Sequence, residues 1–157
     1  RKYLLASKIE DMINTVIRQI SFYDFEYRVH EKRKNGELTR DSISKIWMDV
    51  SKESLGDSFI YDERYESFWS YVPHFIHSPF YVYAYAFGDG MVNALYSTYR
   101  SGMPDFAKEY LNLLSAGGSK PHKELLSPFN LDLSKKTFWL KGIQVLKDLI
   151  AELESLG

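Results

Sequence analysis

The 157-residue chain contains no cysteine. That absence excludes disulfides, thiolate metal sites and a thiol nucleophile, and it is compatible with a cytoplasmic protein. No run of eighteen apolar residues occurs, so no segment reads as a membrane span. Neither sign of charge dominates: 20 Lys and Arg against 21 Asp and Glu leave a net charge of −1. Such a balance gives no electrostatic case for a nucleic-acid partner or an anionic membrane surface. Glycine is scarce, and the pairs Gly88/Gly90 and Gly117/Gly118 mark local sites rather than a flexible linker. No internal repeat, low-complexity segment or strand pair with a hairpin turn is visible.

Complete catalytic sets are missing as well. A zinc hydrolase helix would carry His-Glu-x-x-His, which sets two imidazoles on one face with the Glu as general base. The only His-Glu is His30-Glu31, which runs into Lys32-Arg33-Lys34 and reads as a solvated helix end. His74 and His77 are three apart, but Pro73 and Pro79 hem them into a loop and no third ligand is placed. No metal ligand is therefore expected in this chain. There is no glycine-rich phosphate loop and no Gly-x-Ser-x-Gly elbow. The chain has no initiator Met and opens on Arg1-Lys2-Tyr3-Leu4-Leu5, already inside an amphipathic pattern. This is not a signal peptide, and the expectation is one helical domain over 1–157, a piece of a longer protein.

Helical periodicity is what the chain does have. Leu5, Ile9, Met12, Val16, Ile20 and Tyr23 recur at three- and four-residue spacing and predict a helix over 2–34, stopped by Asn35-Gly36. Thr39 or Asp41 opens a second helix to about Leu55, with Ile43, Ile46, Trp47 and Val50 on one face. Residues 56–77 read as irregular, aromatic and polar, with room for a short turn of helix. Ser78-Pro79 has the form of an N-cap followed by proline at the first helical position, and predicts a third helix over 79–99. Shorter helices follow after Met103-Pro104-Asp105, with Phe106, Tyr110, Leu111, Leu113 and Leu114 inward, and after Pro121; a last helix begins at Ser134. The fold class is all-α, an irregular domain of five to seven helices.

Aromatic residues make up 16% of the chain, and their placement from Pro73 to Gly90 is unusual. His74, His77, Tyr81, Tyr83 and Tyr85 occur there without one charge until Asp89. Each buried Tyr hydroxyl needs a hydrogen-bond partner, which makes three in five residues an odd choice for a plain core helix. In a helix from Pro79, Tyr81 and Tyr85 share a face with Gly88, while Tyr83 lies roughly opposite with Phe80 and Phe87. Either all three are core aromatics, or one set faces a cavity with its polar tips. Neutral His and Tyr are common donors to a peptide carbonyl or a developing oxyanion. Gly88 and Gly90 either admit a substrate backbone or pack against another helix.

These residues carry a resemblance. The run from Trp69 to Ala86, with Pro73-His74-Phe75 and Tyr81-Val82-Tyr83-Ala84-Tyr85, resembles the C-terminal segment of oligoendopeptidase F, in the thimet-oligopeptidase-like zinc metallopeptidases. Arg18-Gln19 with Phe25-Glu26 and His30, Leu113-Leu114-Ser115-Ala116-Gly117-Gly118-Ser119 with Pro121, and Leu131-Asp132-Leu133 resemble further motifs of that family in the same order. The resemblance implies the C-terminal part of a helical cleft peptidase that hydrolyses short peptides in the cytoplasm with one zinc ion. It implies that Tyr85 and His74 stabilise the transition state, with Tyr83 as the alternative tyrosine, and that His77, Tyr81, Tyr83 and Gly88 contact substrate. The zinc motif and third-ligand Glu would lie upstream of Arg1. The partners expected are oligopeptide substrates and the remaining, zinc-binding portion of the same protein, and the fragment alone is expected to bind no zinc and cleave nothing. A different reading of the aromatic stretch is a free-standing helical module that grips peptides without catalysis.

Overall fold

Seven α-helices and three short 3-10 segments make up the computed structural model, which describes residues 1–157 and contains no strand. The all-α expectation therefore holds. The helices are α1 (Lys2–Arg33), α2 (Arg40–Leu55), α3 (His74–His77), α4 (Tyr83–Arg100), α5 (Phe106–Ala116), α6 (His122–Leu126) and α7 (Lys136–Ser155). No helix is long and apolar enough to cross a membrane.

Two compact units are present: Met12–Phe87, and Arg1–Asp11 together with Gly88–Gly157. The core of the first is aromatic. Phe22 and Phe25 of α1 meet Trp47 of α2 at ring distances of 5.4 and 5.2 Å, and Val50, Val72 and Val82 close the cluster. Trp47 is 3% exposed, and its indole N–H donates to the Tyr65 carbonyl at 3.0 Å, which satisfies the polar tip that burial would otherwise penalise. Thr39 caps α2, its hydroxyl accepting from the Ser42 amide at 3.2 Å. The segment read as irregular holds a nine-residue 3-10 run, Glu63–Tyr71, opened by the Asp62 carboxylate accepting from the Arg64 amide.

The second unit is built on Ala94, Leu95, Leu126, Phe129, Leu131 and Phe138. Asp132 accepts from the amide and the hydroxyl of Ser134 at 3.0 and 2.7 Å, a tight turn that leads into α7. Gly90 packs against α7: a Cβ there would lie 3.0 Å from the Trp139 ring, and the Trp139 indole donates to the Leu133 carbonyl at 3.1 Å. Of the two readings of Gly90, close helix packing is the observed one. At the end of α5, Gly117 takes φ +52°, a conformation open to residues without a Cβ.

Two expectations are corrected. The helix predicted to start at Pro79 starts at Tyr83; instead, Ser78 terminates α3, its amide donating to the His74 carbonyl at 3.0 Å. Phe80 takes φ +59° and Val82 is fully buried. A cap is worth roughly 1 kcal/mol, whereas fully burying a valine contributes about 1.5–3 kcal/mol, so tertiary burial outweighs the local signal. On α5, Tyr110, Leu111 and Leu114, expected inward, are 37%, 63% and 58% exposed. Leu111 joins Val92, Tyr96, Tyr99 and Phe106 along an open apolar groove of about 500 Å³, because the apolar face of α5 is wider than the neighbours available to cover it.

Candidate active site

The polar-tipped stretch is assembled by a turn between two helices rather than by one helix face. Phe75 of α3 inserts its ring against Phe22, Phe25 and Trp47 at 5.6, 5.0 and 6.4 Å. That anchor holds its neighbour His74 at the edge of the core. After α3 the chain reverses through Ser78–Val82, with the Tyr81 amide donating to the Ser78 carbonyl at 3.1 Å. Buried Val82 then pins the start of α4.

This reversal brings His74, Tyr81 and Tyr85 together. His74 Nε2 and the Tyr85 hydroxyl share a hydrogen bond of 3.0 Å. The His74 and Tyr81 rings lie nearly parallel, 5° apart in orientation with centroids at 6.2 Å. Tyr85 stands edge-on to both, at 5.7 Å from His74 and 5.6 Å from Tyr81. Tyr81 and Tyr85 are about half exposed, so they are not core residues. Tyr83 is turned elsewhere, its ring 6.1 Å edge-on from Tyr23 of α1. His77 ends α3 and is exposed. Gly88 lies within α4, in the other unit, and a Cβ there would meet nothing within 4 Å.

A residue not singled out for a role, Glu26 of α1, is bonded to the turn that joins the two halves of this cluster. It is 2% exposed, and one carboxylate oxygen, Oε1, accepts from the Phe80 amide at 3.0 Å. The other oxygen is buried without a partner. Burial pushes the Glu26 carboxyl up from its ordinary value, against the opposing pull of the Phe80 amide and the charges of His30 and His74. The signal was present in the sequence: Glu26 falls four residues after Phe22 and next to Phe25, on the apolar stripe of α1. In the second unit, burial raises the Asp89 carboxyl, countered by Lys8 and by the Asn93 amide 2.7 Å away.

The donor set does not fit a metal. No three His, Cys, Asp or Glu side chains are grouped to hold an ion, and the pair His74 and His77 belongs to no such group.

The model of Peptidase family M3 matches residues 1–145. The chain belongs to peptidase family M3. This M3 chain is 32% identical over 156 residues to the oligoendopeptidase F homolog of Borreliella burgdorferi, covering 99% of the chain and 26% of that protein. It is 29% identical to the oligopeptidase PepF of Bacillus subtilis, with 99% of the chain and 23% of that protein covered. The crystal structure of oligoendopeptidase-F from Enterococcus faecium superposes with a TM-score of 0.89 at 25% identity, over 99% of the M3 chain and 30% of its own. The M3 chain spans about a quarter of the length of the curated relatives it matches.

Proposed function

We propose that this chain is the C-terminal part of a zinc-dependent oligoendopeptidase that hydrolyses short peptides in the cytoplasm. In this reading residues 1–157 form one helical part of a larger enzyme and supply hydrogen-bonding side chains to its cleft. The zinc ligands in this reading lie in the remainder of the protein, as the resemblance to the zinc-dependent family implies. The relatives' names, oligoendopeptidase F and oligopeptidase, support oligopeptides as the substrate class.

One observation carries the assignment: the 3.0 Å hydrogen bond between His74 Nε2 and the half-exposed Tyr85 hydroxyl. With the imidazole proton on Nε2, His74 donates to the phenol oxygen and leaves the phenol's own proton free. Tyr85 can then donate that proton's hydrogen bond to a peptide carbonyl oxygen as it gains negative charge. The two linked bonds polarise one another, which strengthens the donor where charge develops. Tyr81, stacked on His74, offers a second hydroxyl for binding the peptide, and exposed His77 is a further substrate contact.

Site-directed variants of the full-length enzyme test this reading. Tyr85→Phe should lower kcat more than it raises KM, because the lost donor acts in the transition state. Equal kcat for Tyr81→Phe, Tyr83→Phe, Tyr85→Phe and the parent enzyme would sink it. Stoichiometric zinc on the isolated chain, or peptide cleavage by it, would overturn the division of labour.

A further inference from the structure

We infer that Glu26 is the positioning residue of the His74–Tyr85 pair, acting through the backbone amide of Phe80. The inference takes the functional importance of that pair from the reading above, whereas the structural linkage stands by itself.

Phe80 is a bulky residue at φ +59°. That left-handed conformation costs about 1–3 kcal/mol for a residue with a side chain and persists where surrounding contacts over-determine it. Here α1 supplies those contacts. Glu26 Oε1 accepts from the Phe80 amide at 3.0 Å. His30, one turn further along α1, packs its ring 4.8 Å from the Phe80 ring, and Tyr23 stands edge-on at 6.1 Å. The hydrogen bond is the directional member of this clamp. It lies between Ser78, whose amide closes α3, and Val82, whose burial begins α4. His74 is on one side of the turn and Tyr85 on the other. Their hydrogen bond depends on the turn keeping its shape.

Glu26 is also an expensive residue to keep for stability alone. One of its oxygens is buried with no partner, and a buried, half-satisfied carboxylate is disfavoured relative to an apolar side chain at the same place. A residue of that kind on an apolar stripe makes physical sense where its acceptor holds something in place.

Histidine-selective NMR of the full-length protein tests the linkage without reference to activity. The His74 ring signal is assigned by its loss in His74→Gln, and Tyr85→Phe defines its position without the hydrogen bond. Glu26→Leu, which fills the volume but lacks the acceptor, should move the His74 signal to the Tyr85→Phe position. Glu26→Gln keeps an acceptor and should hold the signal closer to its original position than Glu26→Leu does, with only the shift due to the lost charge near His74. A folded Glu26→Leu protein with an unmoved His74 signal overturns the inference, as does Glu26→Gln moving it as far as Leu does. Should Glu26→Leu not fold, hydrogen exchange at Phe80 decides. Protection of at least about tenfold over the unstructured rate is expected at that amide in the unsubstituted protein, with a drop in folded Glu26→Ala; exchange at the unstructured rate in the unsubstituted protein overturns it. In peptidase assays, Glu26→Leu should lower kcat with little change in KM, and Glu26→Gln should restore it. Unsubstituted protein without peptidase activity would defeat the functional reading and leave the NMR result intact.

Discussion

The Tyr85 hydroxyl lies 3.0 Å from Nε2 of His74, although eleven residues and a reversal of the chain separate them. Both residues stand on helices, but on different ones, and each is held by an apolar neighbour: Phe75 in the aromatic core for His74, and fully buried Val82 at the start of α4 for Tyr85. The hydrogen-bonded pair thus rests on a packed support, as the proposed role of a preorganised donor requires.

The first prediction concerns which tyrosine acts. Removing one preorganised donor to an oxyanion lowers kcat by about 10²–10³-fold. Tyr85→Phe in the full-length enzyme should lose on that order. Tyr83→Phe, whose ring faces Tyr23, should stay within roughly threefold. Steady-state kinetics on a fluorogenic oligopeptide would check both, and the reverse ranking would assign the role to Tyr83.

Glu26 predicts a pH signature in stability. Burial raises its carboxyl above the ordinary value of 4.5, so the folded protein holds that proton more tightly than the unfolded chain. The stabilisation is fully present below pH 4.5 and is lost as pH rises through the raised value. The Phe80 amide, and after it His30 of α1 and His74 of α3, oppose the shift and narrow the window. Glu26→Gln has no such proton. Its unfolding free energy relative to the unsubstituted protein should therefore improve as pH rises across that window, measurable by urea titration at a series of pH values. A difference independent of pH would contradict the assignment.

Gly88 and Gly90 should respond to alanine in opposite ways. Neither has a positive φ, and alanine gains about 1 kcal/mol over glycine inside a helix. At Gly88 nothing stands within 4 Å of the new Cβ, so Gly88→Ala should raise the Tm. At Gly90 the Cβ meets the Trp139 ring at 3.0 Å, and that ring is tethered through its indole N–H to Leu133. Gly90→Ala should be less stable than Gly88→Ala by about 1–3 kcal/mol. Thermal unfolding of the two variants gives the comparison directly. A peptidase that tolerates Gly88→Ala with unchanged KM would remove Gly88 from the substrate contacts.

Phe75 offers a test of support. Truncating a core phenylalanine destabilises by about 3–5 kcal/mol when it is fully buried; Phe75 is half-buried, so Phe75→Ala should lose about 2–4 kcal/mol. The same variant should weaken the His74–Tyr85 hydrogen bond, read from the His74 ring signal in NMR. Destabilisation without any change at His74 would show that α3 is held by other contacts.

Helix α1 and helix α2 were legible because Leu5, Ile9, Met12, Val16 and Ile20, and then Ile43, Ile46, Trp47 and Val50, repeat with helical spacing and because Asn35-Gly36 and Thr39 punctuate them. The repeat did not mark the buried edge of α1, where Phe22 and Phe25 enter the core while Ile20 and Tyr23 are exposed. The turn at Ser78–Val82 was not. Ser78-Pro79 is a strong local helix signal, and nothing nearby in sequence shows that Val82 will be buried or that a side chain 54 positions earlier will take the Phe80 amide. Tyr81 and Tyr85 were expected to meet on one helical face. They do meet, with rings 5.6 Å apart, but Tyr81 precedes the helix and reaches Tyr85 across the turn. The exposed Leu111 and Leu114 show the converse limit: periodicity marks an apolar face, but not whether these residues contain enough partners to cover it.

The left-handed residue at Phe80 also determines what could be moved to another scaffold. A graft of residues 74–85 alone would carry both members of the donor pair and leave behind the carboxylate that braces the bend between them. The smallest portable version of the device is discontinuous: the α3–α4 turn together with one turn of α1 that includes Glu26 and His30. Carried into an unrelated helical bundle, only such a two-piece insert would bring the brace along with the pair it holds.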